Sequence, residues 1–271
     1  MTTRISSSIY ENCFSHHGDV KDLAVKNSIP VPYFGDVTGY FNSPIRIITV
    51  GLNPSDKEFE DKKKNEIFHR FDVTANTPIS LEQTLCEYFR KGDPYRIWFN
   101  SFETILNAMG ATYGFPEKAE KTIALHVDAG SPIATEKKWS DLKAEELEKL
   151  VAPGRAIFKR LLAELRPHLV MASIGWSHIG PLEAEFVSLG PWQELVRYDC
   201  NENGHKLRAP AIVQMKEIEI GADKALWING AAARNPYGML TKPRKKLLSP
   251  LLLKEIKSRG IVKTLDESIP A

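Results

Sequence analysis

Short, continuous apolar runs alternate along this chain with segments whose apolar residues recur every three to four positions. The first kind of pattern predicts buried strands and the second amphipathic helices. Strands are expected at Ile45 to Val50, Thr122 to Val127, Leu169 to Ile174, Glu194 to Tyr198, Ala211 to Met215 and Ala225 to Ile228. Between them, Ser80 to Phe89 and Trp98 to Met109 read as helices. Another helix starts at Ser140 in "SDLKAEELEKL", where early Glu residues suit the positive end of a helix dipole. Arg155 to Leu165 has helical spacing and stops before Pro167, and Ser249 to Arg259 predicts a final helix. Strand and helix in alternation predict an α/β fold: a single three-layer α/β/α domain with a central, mostly parallel sheet and ligands at the carboxyl ends of its strands. The pair Asn203-Gly204 predicts a hairpin near the sheet edge. Residues 1–30 read as an N-terminal extension and residues 31–271 as the domain itself.

Composition narrows the class. With 271 residues, 42% of them hydrophobic, the chain can bury a full core. Lys and Arg number 36 against 34 Asp and Glu, so a polyanionic partner would need a local basic patch rather than a global field. Cys13, Cys86 and Cys200 are odd in number and far apart, which argues against a disulfide framework and for a reducing compartment. No apolar run is long enough to span a bilayer, and the first residues lack the apolar core of a signal peptide. The expectation is a cytoplasmic monomer with no membrane partner. The charged stretch from Ser55 to Glu66 reads as a solvated loop, and no internal repeat is visible.

Two segments carry candidate chemistry. In "IRIITVGLNPS", Ile45 to Ser55, a β-branched run breaks into Gly51, Leu52, Asn53 and Pro54, as a core strand does when it ends at the mouth of a site. In "NGAAARNPYGMLTKPRKK", Asn229 to Lys246, a late strand is followed by Asn235-Pro236, then Tyr237, Gly238, Met239 and Leu240, then four bases among the five positions Lys242 to Lys246. Lys242, Arg244, Lys245 and Lys246 would form a local positive patch suited to phosphates. A charge run of this kind is otherwise a solvated helix lead-in. Met239-Leu240 beside it favours function, since two large apolar side chains in a loop must pack or insert.

"GLNPS" after a core strand and "NPYGML" after a late strand resemble the two hallmark motifs of the uracil-DNA glycosylase superfamily, most closely its mismatch-specific and thymine-DNA glycosylase branch. Phe71 in "RFDV" matches the position where that family stacks an aromatic ring on an extruded base. The resemblance spans roughly Val31 to Arg259 and implies a uracil-DNA glycosylase-like sheet, a basic groove and hydrolysis of an N-glycosidic bond.

Chemistry consistent with that resemblance can be written for each residue. A base in duplex DNA must be rotated out of the stack, and Met239 or Leu240 would fill the gap while Tyr237 and the bases from Lys242 to Lys246 hold the strand. The extruded base would meet Leu52 and Phe71, the latter stacking for about 1–3 kcal/mol. Asn53 would orient the attacking water, and Asn235 would donate to the base oxygen where charge develops. As plain turn residues, both Asn side chains would only cap loops. Asn is a poor proton acceptor, so turnover by positioning alone would be slow unless the substrate is activated.

The middle strand departs from the family. It reads "ALHVDAGSP", and alternation puts His126 and Asp128 on one side of it. An ionised Asp only accepts hydrogen bonds, which suits the exocyclic amine of a cytosine-type base and opposes the carbonyl of uracil. His126 has the alternative of a hydrogen-bonded interior residue. Cys13, His16 and His17 lack a second ligand pair at zinc spacing, so neither metal nor cofactor is required. "GLNPSDK" matches neither G-x-G-x-x-G nor a P-loop, which counts against a nucleotide-binding enzyme. The expected partner is DNA, duplex or single-stranded, in repair or in defence against modified foreign DNA; an inert DNA-binding relative is the competing class.

Overall fold

The computed structural model describes residues 3–61, 66–67, 70–91, 94–115, 121–230 and 235–262. Helices α1 (Ser7–Asp19) and α2 (Val37–Phe41) precede the first core strand, β1 (Ile47–Gly51). A short pair, β2 (Glu60–Asp61) and β3 (Glu66–Ile67), leads to α3 (Pro78–Glu87) and α4 (Arg96–Ala108). Another small pair, β4 (Ala111–Thr112) and β5 (Thr122–Ile123), comes before β6 (Leu125–Asp128). There follow α5 (Ala144–Leu165), β7 (Leu169–Ala172), α6 (Trp176–Glu183), β8 (Val187–Ser188), β9 (Gln193–Cys200), β10 (Lys206–Ile220), β11 (Asp223–Gly230) and α7 (Lys242–Ser258).

The main sheet runs β6-β1-β7-β11-β10-β8, with β9 also paired to β10. From β6 to β11 the pairings are parallel, and those made by β10 are antiparallel. Strands β1, β6 and β7 are buried at every position, because helices cover both faces of the parallel part. On one side α4 packs against α7; α1 packs against α5 and α3. The expected α/β/α domain is therefore present, and the Asn203-Gly204 hairpin joins β9 to β10 with Gly204 at a φ of 79°. Among the described residues no helix is long and apolar enough to cross a membrane.

Several boundaries differ from the sequence pattern. The segment expected as an N-terminal extension contributes Ile5, Ile9, Tyr10 and Cys13 to the same core as the sheet. The strand expected over Thr122 to Val127 is split, its first part pairing with β4 and its second with β1. What read as two helices around Pro153 is one helix of 22 residues. A proline removes one backbone donor, yet the helix runs on through it; the next residue, Gly154, packs so closely that a Cβ there would lie 2.1 Å from the Gly130 carbonyl oxygen. The last helix begins at Lys242 rather than Ser249, with Pro243 in its first turn, where the missing N–H has no helical partner to lose. Its basic residues consequently sit on the helix, not on a loop before it.

Candidate active site

The carboxyl ends of β6, β1 and β7 converge where the chain leaves β1 for one neighbour and returns on its other side, the usual ligand position in an open α/β sheet. Register pairs Thr49 with His126 and Gly51 with Asp128. Beyond the strands, Ala129 N–H donates to the Gly51 carbonyl at 3.0 Å, while the amides of Gly130 and Ser131 donate to the Leu52 carbonyl at 2.8 and 3.0 Å. These bonds fasten the loop that carries Asn53. Its Nδ2 donates to the Pro54 carbonyl at 3.0 Å and to Thr135 Oγ1 at 3.4 Å, which turns the amide oxygen into the group left to accept from a ligand.

Asn53 borders a cavity of about 400 Å³. Leu52, His126 and Asp128 border it too, together with Phe34, Trp98, Phe99, Trp139 and Ser173. Phe71 does not. It is buried behind Phe34, 5.7 Å away, and stacks on Tyr88 at 4.8 Å and Phe59 at 5.8 Å. Phe34, in front of Phe71, is one of the rings that border the cavity, and its segment "PVPYFGD" carries a findable signal: an aromatic pair held between prolines and Gly35, which has a φ of 115°. The stretch that read as a solvated loop also contributes, since Ser55, Asp56 and Glu58 line the wall. Glu58 is buried and accepts from the Tyr88 hydroxyl at 2.6 Å. High charge density hid it, because a buried carboxylate looks like a solvated one in sequence.

His126 and Asp128 share one side of β6, as alternation requires, with Nε2 and Oδ1 3.4 Å apart. Gly51 is the residue that allows them to meet. A Cβ there would lie 2.4 Å from Asp128 Oδ1 and 3.1 Å from His126 Nε2. On its other nitrogen, His126 Nδ1 lies 2.8 Å from Thr49 Oγ1, which in turn lies 2.5 Å from the Tyr113 hydroxyl. Burial pushes the Tyr113 phenol well above its ordinary range, so it remains a protonated donor. Glu103 holds the segment bearing Tyr113 in place by accepting from its amide at 2.7 Å and from Thr112 Oγ1 at 2.9 Å.

The second Asn-Pro segment lies elsewhere. Asn235 borders a separate cavity of about 680 Å³ between α4 and α7, along with Arg96, Lys242, Lys245 and Lys246. Residues 231–234 of this stretch fall outside the described residues. Tyr237 is fully buried, its amide donating to Ser173 Oγ at 2.8 Å, and Leu240 is buried in the core. Neither can reach DNA from there. Met239 is half-buried against the same core, beside the exposed Gly238. Lys245 is also turned inward, where its Nζ donates to Ser101 Oγ at 2.6 Å and to the Pro236 carbonyl at 2.8 Å. Burial lowers its pKa. Arg244 donates to the Cys200 carbonyl at 2.8 Å and lies 4.1 Å over the Tyr198 ring. Lys242 and Lys246 remain exposed. The sequence pattern missed Arg96, which faces them across the groove from α4.

One residue ties the two regions together. Ser173, at the end of β7, lines the first cavity, donates to the Gly230 carbonyl at 2.9 Å and accepts from Tyr237. A further cavity of about 420 Å³ lies across Leu52 and Trp139, which border both. Neither a family profile nor a curated protein sequence matches the chain, so any functional assignment has to rest on the site and its motifs.

Proposed function

We propose that this protein is a monofunctional DNA glycosylase that takes a modified, cytosine-derived base into the cavity beside Asn53 and hydrolyses its N-glycosidic bond. The observation that carries the reading is the make-up of that cavity: aromatic walls around a fastened amide and a carboxylate, at the carboxyl ends of parallel strands. Its volume of about 400 Å³ leaves room for a pyrimidine with a substituent. The likeness of "GLNPS" and "NPYGML" to the uracil-DNA glycosylase superfamily supports the same class.

In this mechanism the amide oxygen of Asn53 accepts from a water and aims its oxygen at the sugar C1′. The bond from C1′ to the base nitrogen breaks, the water oxygen bonds to C1′, its proton is released, and the base leaves as an anion that is then protonated. Asp128 accepts from the amino group of the base, and Phe34 offers it an aromatic face. Asn235 acts in the neighbouring groove, where Arg96, Lys242 and Lys246 hold the phosphate backbone. The amino end of α7 adds its own partial positive charge there, although Pro243 removes one of its first amides and the Thr241 hydroxyl is taken by Glu202. Of the two apolar loop residues, the half-buried Met239 and not the buried Leu240 would fill a vacated base stack.

The test is incubation with oligonucleotides bearing uracil, mismatches or a panel of modified cytosines, followed by alkaline cleavage of abasic sites. Strand breaks at a modified cytosine are expected. Binding without breaks on any substrate would favour an inert DNA-binding protein, and breaks at uracil alone would show that Asp128 does not select the base.

A further inference from the structure

Thr49 and Tyr113 border none of the three cavities described above, yet both hydroxyls lead to His126. Thr49 and Tyr113 are at most 1% exposed, so water does not reach the Nδ1 side of the ring, while His126 and Asp128, at most 5% exposed, border the cavity. The imidazole is also boxed in by the rings of Phe34, Phe99 and Phe102, with centroids 5.2 to 5.9 Å away, which prevents it from exchanging its two nitrogens by rotation.

Thr49 has one proton to place. It can go to His126 Nδ1, to the Tyr113 oxygen or to the Leu125 carbonyl, 3.4 Å away. If it points away from the ring, the contact of 2.8 Å requires the hydrogen on Nδ1. Nε2 would then turn a lone pair toward Asp128 Oδ1 at 3.4 Å, setting two acceptors against each other in a buried place. If instead Tyr113 donates to Thr49 and Thr49 donates to Nδ1, the ring hydrogen sits on Nε2 and faces the carboxylate. The two hydroxyls and Nδ1 then all meet their complements, the Nε2 hydrogen lies on the carboxylate's side at 3.4 Å, a separation that gives attraction without a hydrogen bond, and the chained hydroxyls polarise one another in the same direction.

We infer that the Thr49–Tyr113 hydroxyl pair holds His126 as its Nε2–H tautomer, and that this sets an N–H edge beside one oxygen of Asp128 and orients the carboxylate so that it offers an acceptor to an amino group in the cavity. Thr49 and Tyr113 are positioning residues acting through His126. The tautomer follows from the buried contacts alone; its use in selecting an amino-bearing base rests on the function proposed above.

Nitrogen-15 NMR of histidine-labelled protein, at a pH where the ring is neutral and with His126 assigned by His126→Gln, reads the tautomer directly. The expected signal for His126 is a pyrrole-type Nε2 and a pyridine-type Nδ1; the reverse assignment overturns the inference. Thr49→Val should give a mixture of tautomers and Thr49→Ser should restore the single form. A folded Thr49→Val protein that keeps a pure Nε2–H form would remove Thr49 from the role, and if that variant does not fold, the wild-type spectrum and Tyr113→Phe still decide. In excision assays the preference for modified cytosine over uracil should drop about tenfold in Thr49→Val, the effect of one lost hydrogen bond, and return in Thr49→Ser. A protein with the Nε2–H form that excises no base would end the glycosylase reading and leave the tautomer assignment standing. An active protein with the Nδ1–H form would end the inference alone.

Discussion

The same dipeptide, Asn-Pro, follows β1 and follows β11, and the two copies have different surroundings. After β1, Asn53 is fastened by its own nitrogen and by the bonds between the β1 and β6 loops, and it faces the cavity. After β11, Asn235 borders the basic groove, while the residues behind it turn inward: Pro236 accepts from Lys245, Tyr237 is buried and Leu240 joins the core. The first loop presents a polar group by tying down its frame. The second is anchored by its apolar and aromatic residues and, among the described residues, leaves Asn235, Gly238, Met239 and the outer lysines to meet a partner. Loop chemistry alone would have made them equivalents.

The largest contrast should appear in catalysis. Asn53→Ala is expected to lower excision by about a hundredfold or more, as loss of a preorganised polar group does. Asn235→Ala should lower it by no more than about tenfold, because its amide stands in the groove. Single-turnover rates on one oligonucleotide measure both, and equal losses would merge the two loops into a single active centre.

Next comes the split between Lys245 and Lys246. Lys245→Ala removes the donor to Ser101 Oγ and one of the two donors to the Pro236 carbonyl, which keeps the Ser101 hydroxyl at 2.9 Å, and should reduce stability by about 1–3 kcal/mol in urea unfolding. Lys246→Ala should leave stability within about 0.5 kcal/mol and flatten the salt dependence of DNA binding by about one unit of slope. Identical behaviour of the two variants would put both side chains in the groove.

A control lies at the opposite end of β7. Burial, together with the charge of Arg46, pushes His168 down to about 4 from its ordinary 6.5, and its Nδ1 accepts from the Arg46 amide at 3.1 Å. Between those values the unfolded chain binds more protons than the folded one, so this contribution to stability is complete above about pH 6.5 and is lost as pH falls toward 4. Unfolding midpoints should decline across that window, and decline less in His168→Asn, which keeps an acceptor without the titration. The same slope in both proteins would assign the acid sensitivity to other groups.

The smallest effect is expected at the anchor of the second loop. The Tyr237 hydroxyl is buried and has no partner among the described residues, so Tyr237→Phe should change stability by less than about 0.5 kcal/mol or raise it slightly. A loss above about 1 kcal/mol would mean that the phenol is bonded and that the anchor is polar.

Much of this molecule was legible in its sequence where the signal is local. The core strands, the hairpin at Asn203-Gly204, the break after Val50 and the shared side of His126 and Asp128 follow from period, turn residues and alternation. Helix limits near Pro153 and Pro243 were less legible, since proline interrupts the pattern without necessarily interrupting the helix. Phe34, Trp139 and Glu58 went unnoticed at the cavity because each lies in a segment that looks irregular or charged.

By itself, then, the sequence determined the fold class and the strand ends at which a site could form, because a backbone strand and its turn depend on neighbours a few residues away. Only the tertiary structure decided which side chains face the cavity. Phe71 and Phe34, Lys245 and Lys246, and Asn53 and Asn235 are pairs of like chemistry whose members differ in the element packed against them, such as α4 against Lys245 or the β6 loop against Asn53. Those packing partners are distant in sequence, and exposure is a property of the partner as much as of the residue.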